Sequence, residues 1–199
     1  MSLIVFAHGA GAGPESDFMQ AILAKLEEKG HKVHTFAFPY WQKVLESGKK
    51  RPPDRAAVLD QSFIAEVQKA QARFPGEALF LLGKSMGSRS AFRIADTVQA
   101  QAAIALGFPF HPPGKPEKDR TAELFNSRMA NLVIQGTADP FGKQAVVNAK
   151  SLPAQLMLRW LERGNHDLVA AKATGMTTDQ CWQQVSDWVD EFIQQRKAL

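Results

Sequence analysis

The stretch Gly-Lys-Ser-Met-Gly, residues 83–87, sets a serine between glycines at positions −2 and +2. An apolar run, ALFLLG, leads into it, and a helix-like segment, MGSRSAFRIADTV, follows. A serine held on a sharp strand-to-helix turn needs small neighbours, because strand and helix must meet closely there. The chemistry such a turn serves is nucleophilic attack on an acyl carbon by the serine hydroxyl. The start of the helix also favours negative charge developing beside Ser85. The same pattern suits a serine that only N-caps a helix after a tight turn.

A hydroxyl is a weak nucleophile without a base to take its proton. Of the five histidines, His166 is the one that lies in a glycine-containing loop, ERGNHDL, after the last strand-like run and C-terminal to both Ser85 and an acid. An imidazole near neutral pKa suits a general base, although a histidine of this kind is also at home in a surface loop. Asp139, in VIQGTADPFG, lies where a strand gives way to a turn. A buried acid there would hold the imidazole in the right tautomer and stabilise the imidazolium. Asp-Pro is equally a common turn pair. Asp167 is the second candidate acid, but it adjoins His166, and neighbouring side chains seldom face one another. The run HGAGAG at 8–13 follows the first strand-like run. Its amides, with Ala10 foremost, could form half of an oxyanion hole whose other half is the Met86 N–H. A phosphate-cradling or merely flexible glycine loop is the competing reading, weakened by the lack of a Walker lysine.

The elements that must position these residues alternate. Strand-like runs are expected at LIVFA, KVHTFAFP, ALFLLG, AAIALGF, NLVIQGT and AQLMLRWLER. Between them, helical spacing of apolar residues marks segments 15–30, 56–74, 86–98 and 142–152, and a last helix closes the chain, capped by Thr178 or Asp179. Residues 40–55, with Gly48 and Pro52-Pro53, are expected to be a long loop with at most a short helical piece, and residues 109–128 a proline-rich loop with at most one short helix. Continuous apolar strands joined by helices imply an α/β fold, a doubly wound and mostly parallel six-stranded sheet covered on both faces. Ligands of such sheets bind beyond the carboxyl ends of the strands. All four candidate features fall at such ends, in the order glycine loop, Ser, Asp, His.

That order and these motifs resemble the α/β-hydrolase superfamily. More narrowly, the chain is similar to the small predicted hydrolases of the testis-expressed protein 30 type, which also include the hydrolase-like part of a chromatin acetyltransferase subunit. HGAGAG, GKSMGSR, GFPFHPPGKPEK, QGTADPFG and GNHDL carry the resemblance from one end of the chain to the other. It implies a nucleophile at Ser85, an acid at Asp139, a base at His166 and oxyanion amides at Ala10 and Met86. The chain departs from the superfamily in size, with no long insertion after AAIALGF where many relatives carry a lid, so a minimal fold without a large lid domain is expected. The activity expected is hydrolysis of an ester, thioester or similar acyl bond without a cofactor or metal. The alternative is a catalytically idle hydrolase-fold module that binds a protein partner.

Other features bound the setting. With 199 residues the chain is expected to form a single domain, 1–199. The single cysteine, Cys181, excludes an intramolecular disulfide and fits a reducing compartment. The opening residues lack a signal-peptide pattern and no apolar run could span a membrane, so a cytoplasmic setting is expected. The formal charge of +4 is spread among acids, which gives little support to nucleic-acid binding. Residues 40–55 hold five cations against two acids, a net +3. With Lys84 and Arg89 beside the serine, they suggest a basic rim that would favour an anionic acyl substrate; a solvated lysine-rich loop explains them as well. Trp41 and His111 are candidates to line the same mouth, while Trp160, Trp182 and Trp188 read as packing.

Overall fold

A computed structural model describes residues 1–198. The element order is β1 (Leu3–Ala7), α1 (Asp17–Glu28), β2 (Lys32–Phe36), α2 (Pro39–Ser47), α3 (Ala56–Arg73), β3 (Leu79–Lys84), α4 (Met86–Ile94), β4 (Ala102–Leu106), β5 (Leu132–Gly136), α5 (Gln144–Asn148), β6 (Met157–Leu161) and α6 (Thr178–Lys197). The strands form one sheet in the order β2-β1-β3-β4-β5-β6. Every neighbouring pair is parallel, so the sheet is wholly rather than mostly parallel.

The central strands are buried at every position because they feed two cores. Leu3, Val5 and Ala7 of β1 share one face with Leu59, Phe63 and Val67 of α3 and Phe92 of α4. Ile4 and Phe6 share the other with Ile22 and Leu26 of α1 and Val185, Val189 and Ile193 of α6. That is the two-residue period of a strand read from both sides. Each large aliphatic or aromatic side chain fully buried this way contributes about 1.5–3 kcal/mol.

The winding places the site. From β1 the chain crosses outward to β2, then returns past β1 to β3 and winds the other way. The direction reverses between β1 and β3, where open sheets of this type leave a crevice. Ala7, the last residue of β1, is in register with Gly83, so the HGAGAG loop and Ser85 emerge side by side. Residues 107–131, between β4 and β5, hold only a 3-10 turn at Thr121–Phe125; among the described residues no helical lid covers the strand ends there.

Four local expectations differ from the structure. Residues 39–47 form helix α2 rather than loop: Pro39 takes the first helical position, and Gly48 closes the helix at φ 66° with its N–H on Val44 O at 2.8 Å. Strand β2 accordingly stops at Phe36, before Pro39. Strand β6 begins only at Met157. The cap of α6 is Thr177, whose hydroxyl accepts from the Gln180 N–H while the Gln180 side chain accepts from the Thr177 N–H, a capping box. No helix among the described residues is long and apolar enough to cross a membrane.

Candidate active site

Ser85 sits between the end of β3 and the start of α4 with φ 50° and ψ −112°. Non-glycine residues rarely hold this backbone, and the neighbours over-determine it. A Cβ at Gly83 would come within 2.3 Å of Ser88 N, and one at Gly87 within 2.5 Å of Ala7 O. Both glycines therefore serve the close approach of α4 to β3 and β1. The Ser85 N–H donates to Leu106 O at 3.1 Å and its carbonyl accepts from the Ser88 hydroxyl at 2.6 Å, so the turn is tied on both sides.

Three side chains from three loops meet here. His166 Nε2 lies 2.9 Å from Ser85 Oγ, and His166 Nδ1 lies 2.8 Å from Asp139 Oδ2. With Nδ1–H donating to the carboxylate, Nε2 is left as acceptor for the serine hydroxyl. Asp139 is fully buried. Its Oδ2 also accepts from Gln135 Nε2 at 2.7 Å, and its Oδ1 accepts from the Phe141 N–H at 2.8 Å. The Phe141 ring stacks on the imidazole at 4.1 Å between centroids. The His166 loop is folded by Asn165, whose Oδ1 accepts from the N–H groups of Asp167 and Val169, both at 3.0 Å.

On the other side of Ser85, neither the Ala10 nor the Met86 N–H has an acceptor among the described residues. Met86 is the first residue of α4, where helix N–H groups lack internal partners. Beneath the glycine loop, His8 is fully buried. It donates from Nδ1 to Gly9 O at 2.7 Å and accepts the Phe38 N–H on Nε2 at 3.0 Å. Burial holds its pKa below the ordinary histidine value, so this ring is a neutral brace between β1 and the residues after β2.

Ser85 opens onto two cavities. The larger, about 650 Å³, is lined by the glycine loop and by Phe18, Met19, Phe141, His166, Val169 and Trp182. The smaller, about 310 Å³, is lined by Met86, Arg89, Arg93, Arg120 and Asp54 among others. Ala10, Ser85 and Phe141 line both, whereas His166 lines only the larger.

The remaining sequence candidates divide. Lys84 lines the larger cavity, but its ammonium donates to His166 O and lies 3.4 Å from Asp167 Oδ1. Burial pushes its pKa down against the pull of Asp167 and Asp139. Asp167 is thus the partner of Lys84 and not of the imidazole. Arg89 lines the smaller cavity with its guanidinium bound to both Glu123 oxygens at 2.7 Å. Trp41 lines neither cavity; it lies over Gly13 and donates to Glu15 Oε1 at 3.0 Å. His111 also lines neither: its ring is buried, Nδ1 is 2.8 Å from Pro112 O, and its N–H donates to Phe141 O. Trp182, expected only to pack, lines the larger cavity, donates to Asp167 O at 3.1 Å and meets Phe18 edge-on. Gln135 and Phe141 lie in the QGTADPFG motif but only its aspartate is singled out there, and Arg120 falls in no motif. A polar Gln135 at the end of an apolar strand-like run was the signal that could have found it, and the structure buries it fully one residue before the end of β5.

The fold and this arrangement define an α/β-hydrolase architecture. The chain matches the family described as alpha/beta hydrolase domain over residues 1–194, and it belongs to that family. Among solved structures it is similar to a serine hydrolase without a lid from Xanthomonas campestris, at 20% identity and TM-score 0.62, covering 82% of this chain and 73% of that one. It is also similar to a dienelactone hydrolase from Anabaena variabilis, at 18% identity and TM-score 0.67, covering 96% and 86%. A third likeness is to the esterase domain of a Rhodothermus marinus protein, at 14% identity and TM-score 0.68, covering 98% and 86%. At these identities the likeness speaks for the fold.

Proposed function

We propose that the protein is a serine hydrolase that cleaves an ester, thioester or similar acyl bond of a small substrate through an acyl-enzyme. The observation that carries this reading is the hydrogen-bonded series Ser85 Oγ, His166 Nε2 and Nδ1, Asp139 Oδ2, with steps of 2.9 and 2.8 Å. The hydroxyl proton passes to His166 Nε2 as the Ser85 Oγ–carbon bond forms. Asp139 holds the ring and stabilises the imidazolium. The oxyanion is received by the amides of Ala10 and Met86, each of which would matter by about 10²–10³ in rate. His166 then gives the proton to the leaving oxygen or sulfur as its bond to carbon breaks. Water enters next, gives a proton to His166, and releases the acid as Ser85 regains its hydrogen. This chemistry asks for no cofactor. The structural neighbours are a serine hydrolase, a dienelactone hydrolase and an esterase domain, which supports the same class.

An idle binding module of the kind suggested by the testis-expressed protein 30-type resemblance would have Ser85 walled off by Met86 or by the proline-rich loop. Ser85 instead faces two open cavities, which favours the enzyme. The test is intact mass after exposure to a fluorophosphonate probe. A single adduct, with fluoride displaced by Ser85 Oγ, is expected on the wild-type protein and absent from Ser85→Ala. An unlabelled, folded wild-type protein would refute the reading.

A further inference from the structure

The smaller cavity has a charge pattern of its own. Three guanidiniums line it, and two are already neutralised. Arg89 is held in a fork by Glu123. Arg93 donates to both oxygens of Asp60, at 2.8 and 2.7 Å, and to Glu123 at 3.0 Å. Arg120 is different. It is half-buried, yet its guanidinium has no hydrogen bond or ion pair to any described residue. Burial and the nearby Arg89 disfavour its charge, while Glu123, close by but not bonded to it, favours it. A partly desolvated cation without a direct ion pair gains when an anion arrives to pair with it. In the lining of the same cavity Asp54 presents a buried Oδ2 that also lacks a partner. With one cation and one carboxylate in its lining that lack a direct partner, the cavity tolerates a single negative charge better than a doubly charged phosphate.

Position decides which half of a substrate enters. The leaving group must take its proton from His166, and His166 lines only the larger, mostly apolar cavity. The acyl half therefore points the other way, past Met86 into the smaller cavity, whose 310 Å³ suits a short chain.

Resting on the Ser85 reading, we propose that the substrate is an ester or thioester of a short dicarboxylic acid, its free carboxylate bound by Arg120 and its leaving group held in the larger cavity. Arg120 is then the residue that sets acyl specificity. Lys84 and Arg89, the cations that the motif itself offers, are occupied elsewhere.

The test compares 4-nitrophenyl hemiadipate with 4-nitrophenyl hexanoate, which differ by a terminal carboxylate in place of a methyl group. The wild-type kcat/KM should favour the hemiadipate by about tenfold to a hundredfold, the worth of a charged hydrogen-bonded pair. Arg120→Gln should collapse that ratio, Arg120→Lys should leave part of it, and Asp54→Asn should raise it. A wild-type ratio near or below one, or a ratio that Arg120→Gln leaves intact, overturns the proposal. Should Arg120→Gln not fold by circular dichroism, Arg120→Lys and Asp54→Asn decide by the direction in which each moves the ratio. The two readings fail differently. Ser85-dependent turnover of both esters at equal rates sinks only the Arg120 assignment. Absence of any Ser85-dependent turnover sinks the hydrolase reading, and this inference with it.

Discussion

Gly83→Ala tests whether the turn under Ser85 is held by backbone contact alone. The added Cβ would lie 2.3 Å from Ser88 N and 2.4 Å from Gly87 C and Ser88 Cα, all of them main-chain atoms. None can rotate away, so α4 must retreat from β3 by about 1.1 Å to restore an ordinary contact of 3.4 Å. The start of α4 carries Ser85 and the Met86 N–H with it. A retreat of that size stretches the 2.9 Å contact between Ser85 Oγ and His166 Nε2 beyond hydrogen-bond range. Overpacking of this kind costs about 1–3 kcal/mol of stability. For a chain of this length that is a fall in Tm of roughly 2–12 °C. A misplacement near 1 Å at the reacting atoms costs on the order of 10²-fold in rate. The assay is a thermal melt beside kcat/KM on a 4-nitrophenyl ester. Gly11→Ala is the control for stability, because a Cβ there meets nothing within 4 Å. A folded Gly83→Ala protein with unchanged Tm and with activity within twofold of wild type would refute the reasoning.

Two further outcomes concern buried histidines and the wall of the larger cavity. Burial holds His8 and His31 below the ordinary histidine pKa, Asp190 opposing it at His31. Well above pH 6.5 both rings are neutral in either state and their share of stability is complete. As pH falls from there, the unfolded chain takes up protons that the folded chain refuses, and stability drops by up to about 1.4 kcal/mol per pH unit per histidine. Urea midpoints at pH 7.5 and 5.0 measure the drop, and His8→Gln should flatten it; an unchanged slope would mean that the brace at Phe38 is not titrating. Trp182→Ala opens the wall of the larger cavity opposite the glycine loop. It should lower KM for esters with bulkier leaving groups relative to small ones, and equal shifts for both would exclude that cavity as the leaving-group site.

The alternation of strands and helices was legible because each rule that produces it is local. Apolar runs buried on both faces, and Gly or Pro at their ends, are visible one segment at a time. Residues 40–55 show where locality fails. Pro39 and Gly48 are good start and stop signals for a helix, but Pro39 also reads as the end of the alternating run KVHTFAFP. The choice fell to packing: Tyr40 is buried and donates to Gly9 O and Ala10 O, both at 3.1 Å, so α2 supports the glycine loop. No pattern within the segment records that contact, made across thirty residues of sequence.

The site divides along the same line. Ser85, Asp139 and His166 could be picked out because their chemistry demands particular residue types at strand ends, and strand ends can be counted. Charge cannot be read that way. Along the sequence Lys84, Arg89 and the cations of residues 40–55 look available, and Arg120 looks like one more basic residue in a proline-rich loop. Whether a cation is available depends on what faces it. Glu123 faces Arg89 from a 3-10 turn 34 residues away, and Asp167 faces Lys84 from the His166 loop. A cation engaged by a neighbouring carboxylate has little left to offer a ligand, since releasing it would strand the carboxylate in a poorly solvated place. Arg120, with Glu123 near but already bonded to Arg89 and Arg93, makes no direct ion pair among the described residues that it would have to abandon. A substrate anion meeting it gains the pair without breaking one, so the residue with the least conspicuous sequence context is the one with the most binding energy to give.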